Sequence, residues 1–203
     1  MAPGFIPPGF LPFSGRGLIL FWGGGLIRSE FVSYGDLSHL FAVLMPANAL
    51  ALRVSLETGL RIGDVLTIPT AKLQRSQRIT IREQKTGKSR RVYISRGLRA
   101  ELLAQAGSVW VFEGRNDPHK HRTRQAVYAD LKRAAKAFRL PQNVSVHSIR
   151  KLYAKTLLDE TGDLELVQRA LNHDRIETTL IYALCDRLDL LPKVRPKKPR
   201  KKK

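Results

Sequence analysis

One stretch of this chain limits its fold more than any other. Arg78 to Gln84 (RITIREQ) alternates Ile79 and Ile81 with polar side chains, and Ser89 to Ser95 (SRRVYIS) repeats the alternation with Val92 and Ile94. A period of two is the mark of a half-buried strand. Between the runs stands Lys85-Thr86-Gly87-Lys88, a turn signal, so the pair reads as one β-hairpin. The rest of the patterned chain reads as helix. The expected class is therefore α+β, mainly helical, with a small antiparallel sheet.

The helical reading starts at Asp36, a plausible N-cap for a helix through Leu44 that Pro46 interrupts. A second helix is expected from Ala47 to Thr58, stopped by Gly59, and a short helical turn over Leu60 to Leu66. Beyond the hairpin, Leu98 to Ala106 reads as a short helix. Arg122 to Arg139 reads as a long one, with Ala126, Leu131, Ala134 and Phe138 near helical spacing. His147 to Glu160 follows the Pro141–Val146 loop. Asp163 caps a helix to Leu171, and Ile176 to Leu184 closes the pattern.

Both ends differ from this body. Residues 1–30 hold seven glycines and four prolines, and no period survives them. Their most apolar run, Gly17 to Ile27, is eleven residues long, against the roughly 20 that a membrane helix needs. No small-residue cleavage site follows it, so neither a membrane nor a secretory role is expected. After Leu191 the chain is Pro-broken and basic, the composition of a disordered tail. The division is a Gly/Pro-rich arm over 1–35, a domain over 36–191 and a basic tail over 192–203. At 203 residues a single domain is expected.

Charge narrows the partner. The chain has 36 Lys+Arg against 17 Asp+Glu, a net charge of +19. Eight of the cations lie in Lys193 to Lys203, and the body without them still carries +11. An acidic partner follows, and nucleic acid is the commonest. The single cysteine, Cys185, excludes a disulfide framework and a Cys-based zinc module, and it reads as a small buried side chain.

Several short motifs are weak alone. His147-Ser148-Ile149-Arg150 places a His and an Arg on one helix face, which is usually a surface pair. Arg61 follows Thr58-Gly59-Leu60. His173, in Leu171-Asn172-His173, sits where a His often only caps carbonyls. Tyr182, nine residues on, would ordinarily be core. Their order is far more specific: TGLRIGDVL at 58–66, KTGK at 85–88, HSIRKLYA at 147–154 and QRALNHDRIETTLIYA at 168–183. This set resembles the tyrosine recombinase (phage integrase) family over nearly all of its catalytic domain. The resemblance implies the tyrosine-recombinase catalytic-domain fold, with the small sheet on one edge. It implies Arg61 and Arg150 as catalytic arginines, Lys85 as the hairpin lysine, His147 and His173 as the two histidines, and Tyr182 as nucleophile. It implies a site-specific recombinase or integrase that cuts and rejoins double-stranded DNA through a 3′-phosphotyrosyl link.

The chemistry accounts for that inventory. Two guanidiniums clamp the non-bridging oxygens of a phosphodiester by charge-assisted hydrogen bonds. Each is worth on the order of 1.5–3 kcal/mol. A phenol ionises near pH 10 and needs a cationic site and a proton acceptor, here His147. The leaving 5′-oxygen needs a proton, which Lys85 would supply, and His173 would add a hydrogen bond to the phosphate. The tyrosyl ester conserves the bond energy, so neither ATP nor metal is required, and no cofactor is expected.

Three departures from the family pattern stand out. Asn172 replaces the usual glycine before the second histidine, and Asn tolerates the left-handed conformation. Ile149 replaces the more frequent leucine. Lys88 competes with Lys85, which motif register favours. Family members also carry an N-terminal helical domain that completes a clamp on DNA, which the Gly/Pro-rich residues ahead of Asp36 are not expected to form. Candidate DNA contacts are Lys88, Arg90, Arg91, His119, Lys120, Arg122 and Arg124, with Lys132, Arg133 and Lys136 on the following helix. His119 and His121 are not expected to bind metal. The tail would add salt-sensitive, non-specific affinity. Leu184 to Leu191 would dock on a neighbour in a homotetramer or pack within its own chain. The expected location is cytoplasmic, on the nucleoid. The rival readings are a type IB topoisomerase-like nicking and resealing enzyme, and a decayed recombinase that binds without cutting.

Overall fold

The computed structural model describes residues 21–22, 25–26, 34–140 and 143–173. The expected helix Ile176–Leu184, Tyr182, Cys185, the Leu184–Leu191 segment and the basic tail lie outside the described residues. Within the arm, β1 (Phe21–Trp22) and β2 (Gly25–Leu26) form a two-residue antiparallel ladder. Two-residue strands are too short to leave a period in the sequence.

The body begins with α1 (Tyr34–Val43) and α2 (Pro46–Thr58). Asp36 is in the first turn of α1 rather than at its cap, where its charge still complements the helix dipole. Pro46 opens α2, at a position where its missing N–H costs nothing. Asp130 serves as a remote cap there: its Oδ2 accepts from the Met45 N–H at 2.9 Å and from Asn48 Nδ2 at 2.7 Å. α2 buries Ala51, Leu52 and Val54 and packs against α3 (Ile62–Leu66), α5 (Arg96–Gln105) and α7 (Val146–Thr161). Its burial on several sides makes it the central helix.

α4 (Thr70–Arg75) is a helix the sequence pattern did not disclose. Six residues are too few to display a 3.6 period, and Pro69 at its cap reads as a break. The hairpin is as expected: β3 (Arg78–Arg82) pairs antiparallel with β4 (Ser89–Tyr93), Ile79 opposite Val92 and Ile81 opposite Arg90. Gly87 adopts a positive φ of 68° at its turn. α6 (Arg124–Ala137) starts two residues later than expected because Thr123 caps it, its side chain accepting from the Ala126 N–H at 3.2 Å.

α7 opens on a capping box of Ser145 and Ser148. It closes on Gly162 in the left-handed region. α8 (Leu164–Leu171) is capped by Asp163, as expected, and packs on α7 through Val167 and Leu171 against Ala154. The main core joins Leu40, Leu52, Leu66, Ile68, Leu102, Phe112, Leu131 and Ile149 across α1 to α7 and the hairpin. Among the described residues no helix is long and apolar enough to cross a membrane.

Candidate active site

The site grows out of one tight turn. Thr58 ends α2, and its hydroxyl donates to the Val54 carbonyl at 2.6 Å and accepts from the Leu60 N–H at 3.2 Å. Gly59 follows in the left-handed region at φ 65°, where its N–H caps Ser55 at 2.9 Å. A Cβ here would lie 2.4 Å from a Tyr153 ring carbon, so glycine is needed for space as well as for φ. Ser55 Oγ donates to the Leu60 carbonyl at 2.7 Å and closes the turn. The turn's two leading carbonyls then hold two arginines: that of Thr58 accepts from Arg90 and that of Gly59 from Arg150.

Arg150 rises from α7 and is 2% exposed. Besides Gly59 it donates to the Leu171 carbonyl at the end of α8, and its Nη2 stands 3.4 Å from His173 Nε2. Asn172 makes this possible. It takes the left-handed conformation (φ 55°, ψ 42°) expected of it, and turns the chain so that His173 faces back toward α7. The His173 N–H donates to the Gln168 carbonyl at 3.2 Å, and Gln168 Nε2 returns a bond to the His173 carbonyl at 3.2 Å.

Arg61 is the cap residue of α3, with its side chain 20% exposed. It donates through Nη1 to Glu83 Oε2 at 2.5 Å. Glu83, at the end of β3, has a fully buried carboxylate; Thr86 Oγ1 also donates to Oε2 at 3.0 Å, and Arg90 Nη1 lies 3.9 Å from Oε1. Asp64, one helical turn beyond Arg61, is 2% exposed and accepts from the Gln84 N–H at 2.9 Å through Oδ1. Burial pushes its carboxyl above the usual range, with neighbouring Glu83 adding to the rise.

The two histidines feel the same cations. His173 is lowered to about 4, first by burial and then by Arg150 and Arg61. His147 sits on the exposed side of the α7 N-terminus. Lost hydration on its inner side lowers it, followed by Arg150, Lys151, Lys85 and Arg61. The downward shift favours the neutral ring in each, and a neutral imidazole has a ring nitrogen able to accept a proton. Arg61, Lys85 and Arg150 thus gather as cations around His147 and His173; Tyr182 lies outside the described residues.

The candidate DNA contacts separate. Arg90 is turned inward, unlike the phosphate-contacting side chain expected. Its side chain is 11% exposed and engaged by Thr58 and Glu83, because β4 pairs it opposite inward-facing Ile81. Arg91 faces outward opposite Thr80. Lys85 and Lys88 are exposed at the turn, and Arg124 on α6 reaches over Gly63. Lys120 is exposed and pairs with Asp117 at 3.3 Å, while the His119 N–H donates to Asp117 at 2.9 Å. Arg122 is half-buried and donates to Asn48 at 3.2 Å. His121 Nδ1 contacts the Arg122 carbonyl at 2.8 Å, and its ring meets Trp110 edge-on. Lys132 is held to Asn143 and lies over the Tyr128 ring, and Arg133 pairs with Asp130 at 2.6 Å. Among the described residues no three His, Cys, Asp or Glu side chains are grouped to hold a metal ion.

The sequence reading missed Glu83 and Asp64, and each had a signal. Ile79, Ile81 and Glu83 share the inward phase of β3, so an acidic group enters a core face, where it demands a cation. Asp64 stands at i+3 from Arg61, within TGLRIGDVL.

The Phage integrase family profile matches residues 37–187. Tyrosine recombinase XerD of Rhizobium meliloti (strain 1021) is 36% identical over 134 residues, covering 62% of this chain and 43% of that protein. The integrase of Escherichia phage P2 is 28% identical over 156 residues, covering 77% of this chain and 43% of that protein. Among solved structures, a lambda integrase dimer bound to a COC′ core site superposes with a TM-score of 0.66 at 17% identity, over 84% of this chain and 52% of that one. The catalytic domain of bacteriophage HP1 integrase superposes with a TM-score of 0.55 at 22% identity, over 79% of this chain and 90% of that one. These chains share the fold. The present chain spans about half the length of the curated relatives it matches.

Proposed function

The chain belongs to the phage integrase family, and from that premise we propose that it cuts and rejoins DNA at a specific site through a 3′-phosphotyrosyl intermediate on Tyr182. One observation carries the reading: residues from four separate motifs converge, with Arg150 standing 3.4 Å from His173 and with Arg61, Lys85 and Arg150 all acting electrostatically on His147 and His173. In the proposed reaction the Tyr182 hydroxyl attacks the scissile phosphorus and the bond to the 5′-oxygen breaks. Neutral His147 accepts the phenol proton, and Lys85 delivers one to the departing oxygen from the exposed hairpin turn. Arg61 and Arg150 bind the non-bridging oxygens, where transition-state charge grows. His173, 3.4 Å from Arg150, donates to the same phosphate. Rejoining reverses these steps with a 5′-hydroxyl as nucleophile. Tyr182 takes its role from the QRALNHDRIETTLIYA motif.

In this reading residues 36–191 are the catalytic domain, 1–35 an arm and 192–203 a tail adding salt-sensitive affinity. The partner is double-stranded DNA, engaged as a homotetramer on two duplexes in the nucleoid of the cytoplasm. Outward Arg91, turn residue Lys88 and the Lys120 loop are the proposed phosphate contacts, together with His119, Arg122 and Arg124 around the start of α6.

Covalent trapping tests the proposal. The protein is mixed, without metal, with nicked suicide duplexes made from DNA flanking its own gene. A denaturant-resistant adduct that disappears in Tyr182→Phe is expected, with duplex binding nearly unchanged. Retention of DNA without an adduct would overturn the catalytic reading in favour of a binder. An adduct accompanied by relaxation of supercoils without a target sequence would make it a nicking and resealing enzyme.

A further inference from the structure

Glu83 is a carboxylate out of place. It is fully buried at the mouth of a cationic cluster, where a free anion would oppose the binding of a phosphate. Its contacts explain its presence. Oε2 accepts from Arg61 at 2.5 Å and from Thr86 at 3.0 Å, and Oε1 faces Arg90 at 3.9 Å. Among the described residues Glu83 is the only hydrogen-bond partner of the Arg61 side chain. The backbone of Glu83 also closes the turn: its N–H donates to the Lys88 carbonyl at 2.9 Å, and its carbonyl accepts from Gly87 at 2.8 Å. One residue therefore grips the guanidinium of Arg61 and both ends of the loop that carries Lys85.

We propose that Glu83 is a positioning residue, which holds the Arg61 fork at a fixed angle and ties the Lys85 turn to it. The inference rests on the roles given above to Arg61 and Lys85. Geometry supports it against simple charge balance. Arg90 alone could be neutralised from anywhere in its half-buried surroundings. Glu83, one residue past β3 and in its inward phase, reaches Arg61, Thr86 and Arg90 together. Engaging one terminal nitrogen of a guanidinium still leaves other donors for a phosphate, and it removes the rotation that would smear them. Thr86 completes the device, because it is joined to Lys85 by one peptide bond.

The test compares Glu83→Gln, which keeps the shape and removes the charge, with Thr86→Val, which removes one hydrogen bond from a half-buried position. First, the Arg61 side-chain N–H signal is followed by NMR in the protein without DNA, assigned with Arg61→Lys. A hindered, well-dispersed guanidinium signal is expected in the wild type and an averaged one in Glu83→Gln. Second, the rate of tyrosyl-adduct formation is measured on a nicked duplex, beside its dissociation constant. Glu83→Gln is expected to slow cleavage roughly 10–100-fold, the usual range for a residue that orients a ligand-binding group. Thr86→Val should slow it several-fold, and duplex affinity should hold within about twofold in both. Replacing the leaving 5′-oxygen by sulfur, which departs without a proton, should restore Thr86→Val nearly fully and Glu83→Gln only in part.

An Arg61 signal that is the same in both proteins overturns the proposal. So does unchanged cleavage, or affinity that falls as far as rate. Should Glu83→Gln fail to fold, Thr86→Val with the sulfur substrate decides. Should the wild type form no adduct at all, the recombinase reading fails, and the NMR comparison still decides whether Glu83 orders Arg61.

Discussion

The two arginines of the site are held in opposite ways. Arg61, on the hairpin side, leans on a buried carboxylate and keeps its side chain 20% exposed. Arg150, on the α7 side, is 2% exposed and held by the backbone carbonyls of Gly59 and Leu171. A carboxylate cancels most of the charge it holds, and its own position depends on a turn. A carbonyl cancels little and belongs to rigid backbone. Arg150 is therefore fixed by backbone from two other elements, while Arg61 is fixed by a side chain and is the more adjustable. Burying a guanidinium is costly, and the two carbonyl bonds, with the Asp64 carboxylate acting on it, help to make it tolerable.

The sharpest way to break this comparison is to remove each arginine in turn. Arg150→Ala should lower unfolding free energy by on the order of 4 kcal/mol, since two buried carbonyls lose a charged donor. Arg61→Ala should cost about 1.5 kcal/mol, because Glu83 retains Arg90 and Thr86. Denaturant titration separates them, and equal losses would show that the two sites are held alike. Next comes the turn beneath Arg150. Gly59→Ala places a Cβ against Tyr153 at positive φ and should cost about 2–3 kcal/mol. Pairing it with Tyr153→Ala should leave the strain of φ and relieve the clash, so non-additive costs are expected; full additivity would mean the ring moves aside freely.

Acid probes the α7 side through His173. Its folded value is about 4 against an ordinary 6.5, so the unfolded chain takes up a proton first as pH falls. Stability from this group is intact above about pH 6.5 and is lost progressively between about 6.5 and about 4. His173→Gln should flatten that part of the stability profile. A bound phosphate supplies the missing anion, so duplex binding should raise the His173 titration point in an NMR titration; no rise would place the phosphate elsewhere. The smallest expected effect is at Asn172. With φ at 55°, Asn172→Gly should change stability by less than about 0.5 kcal/mol, and Asn172→Ala should cost about 1 kcal/mol.

Much of this was legible beforehand, for reasons that differ by element. The hairpin, α2, α7 and α8 declare themselves by period and by caps: Gly59, Asp163 and Asn172 are local signals read one turn at a time, whereas the Ser145 cap of α7 comes only from the structure. α4 is shorter than the period that would reveal it. The site cations were read from motif order, yet their partners were not. Arg90 is basic and lies in a hairpin, and by those two features alone it reads as a DNA contact. Its phase opposite Ile81 turns it inward, and the same phase carries Glu83 beneath Arg61.

The sequence by itself determined the class of fold, the family and the side chains offered to chemistry, because periodicity, caps and ordered motifs are properties of a chain read locally. Only the tertiary structure decided which carbonyls and which carboxylate hold the two arginines. Those contacts join residues such as Gly59 with Arg150 and Arg61 with Glu83 across long stretches of chain. No local pattern encodes the depth at which each pair is buried, and that depth sets what each charge is worth.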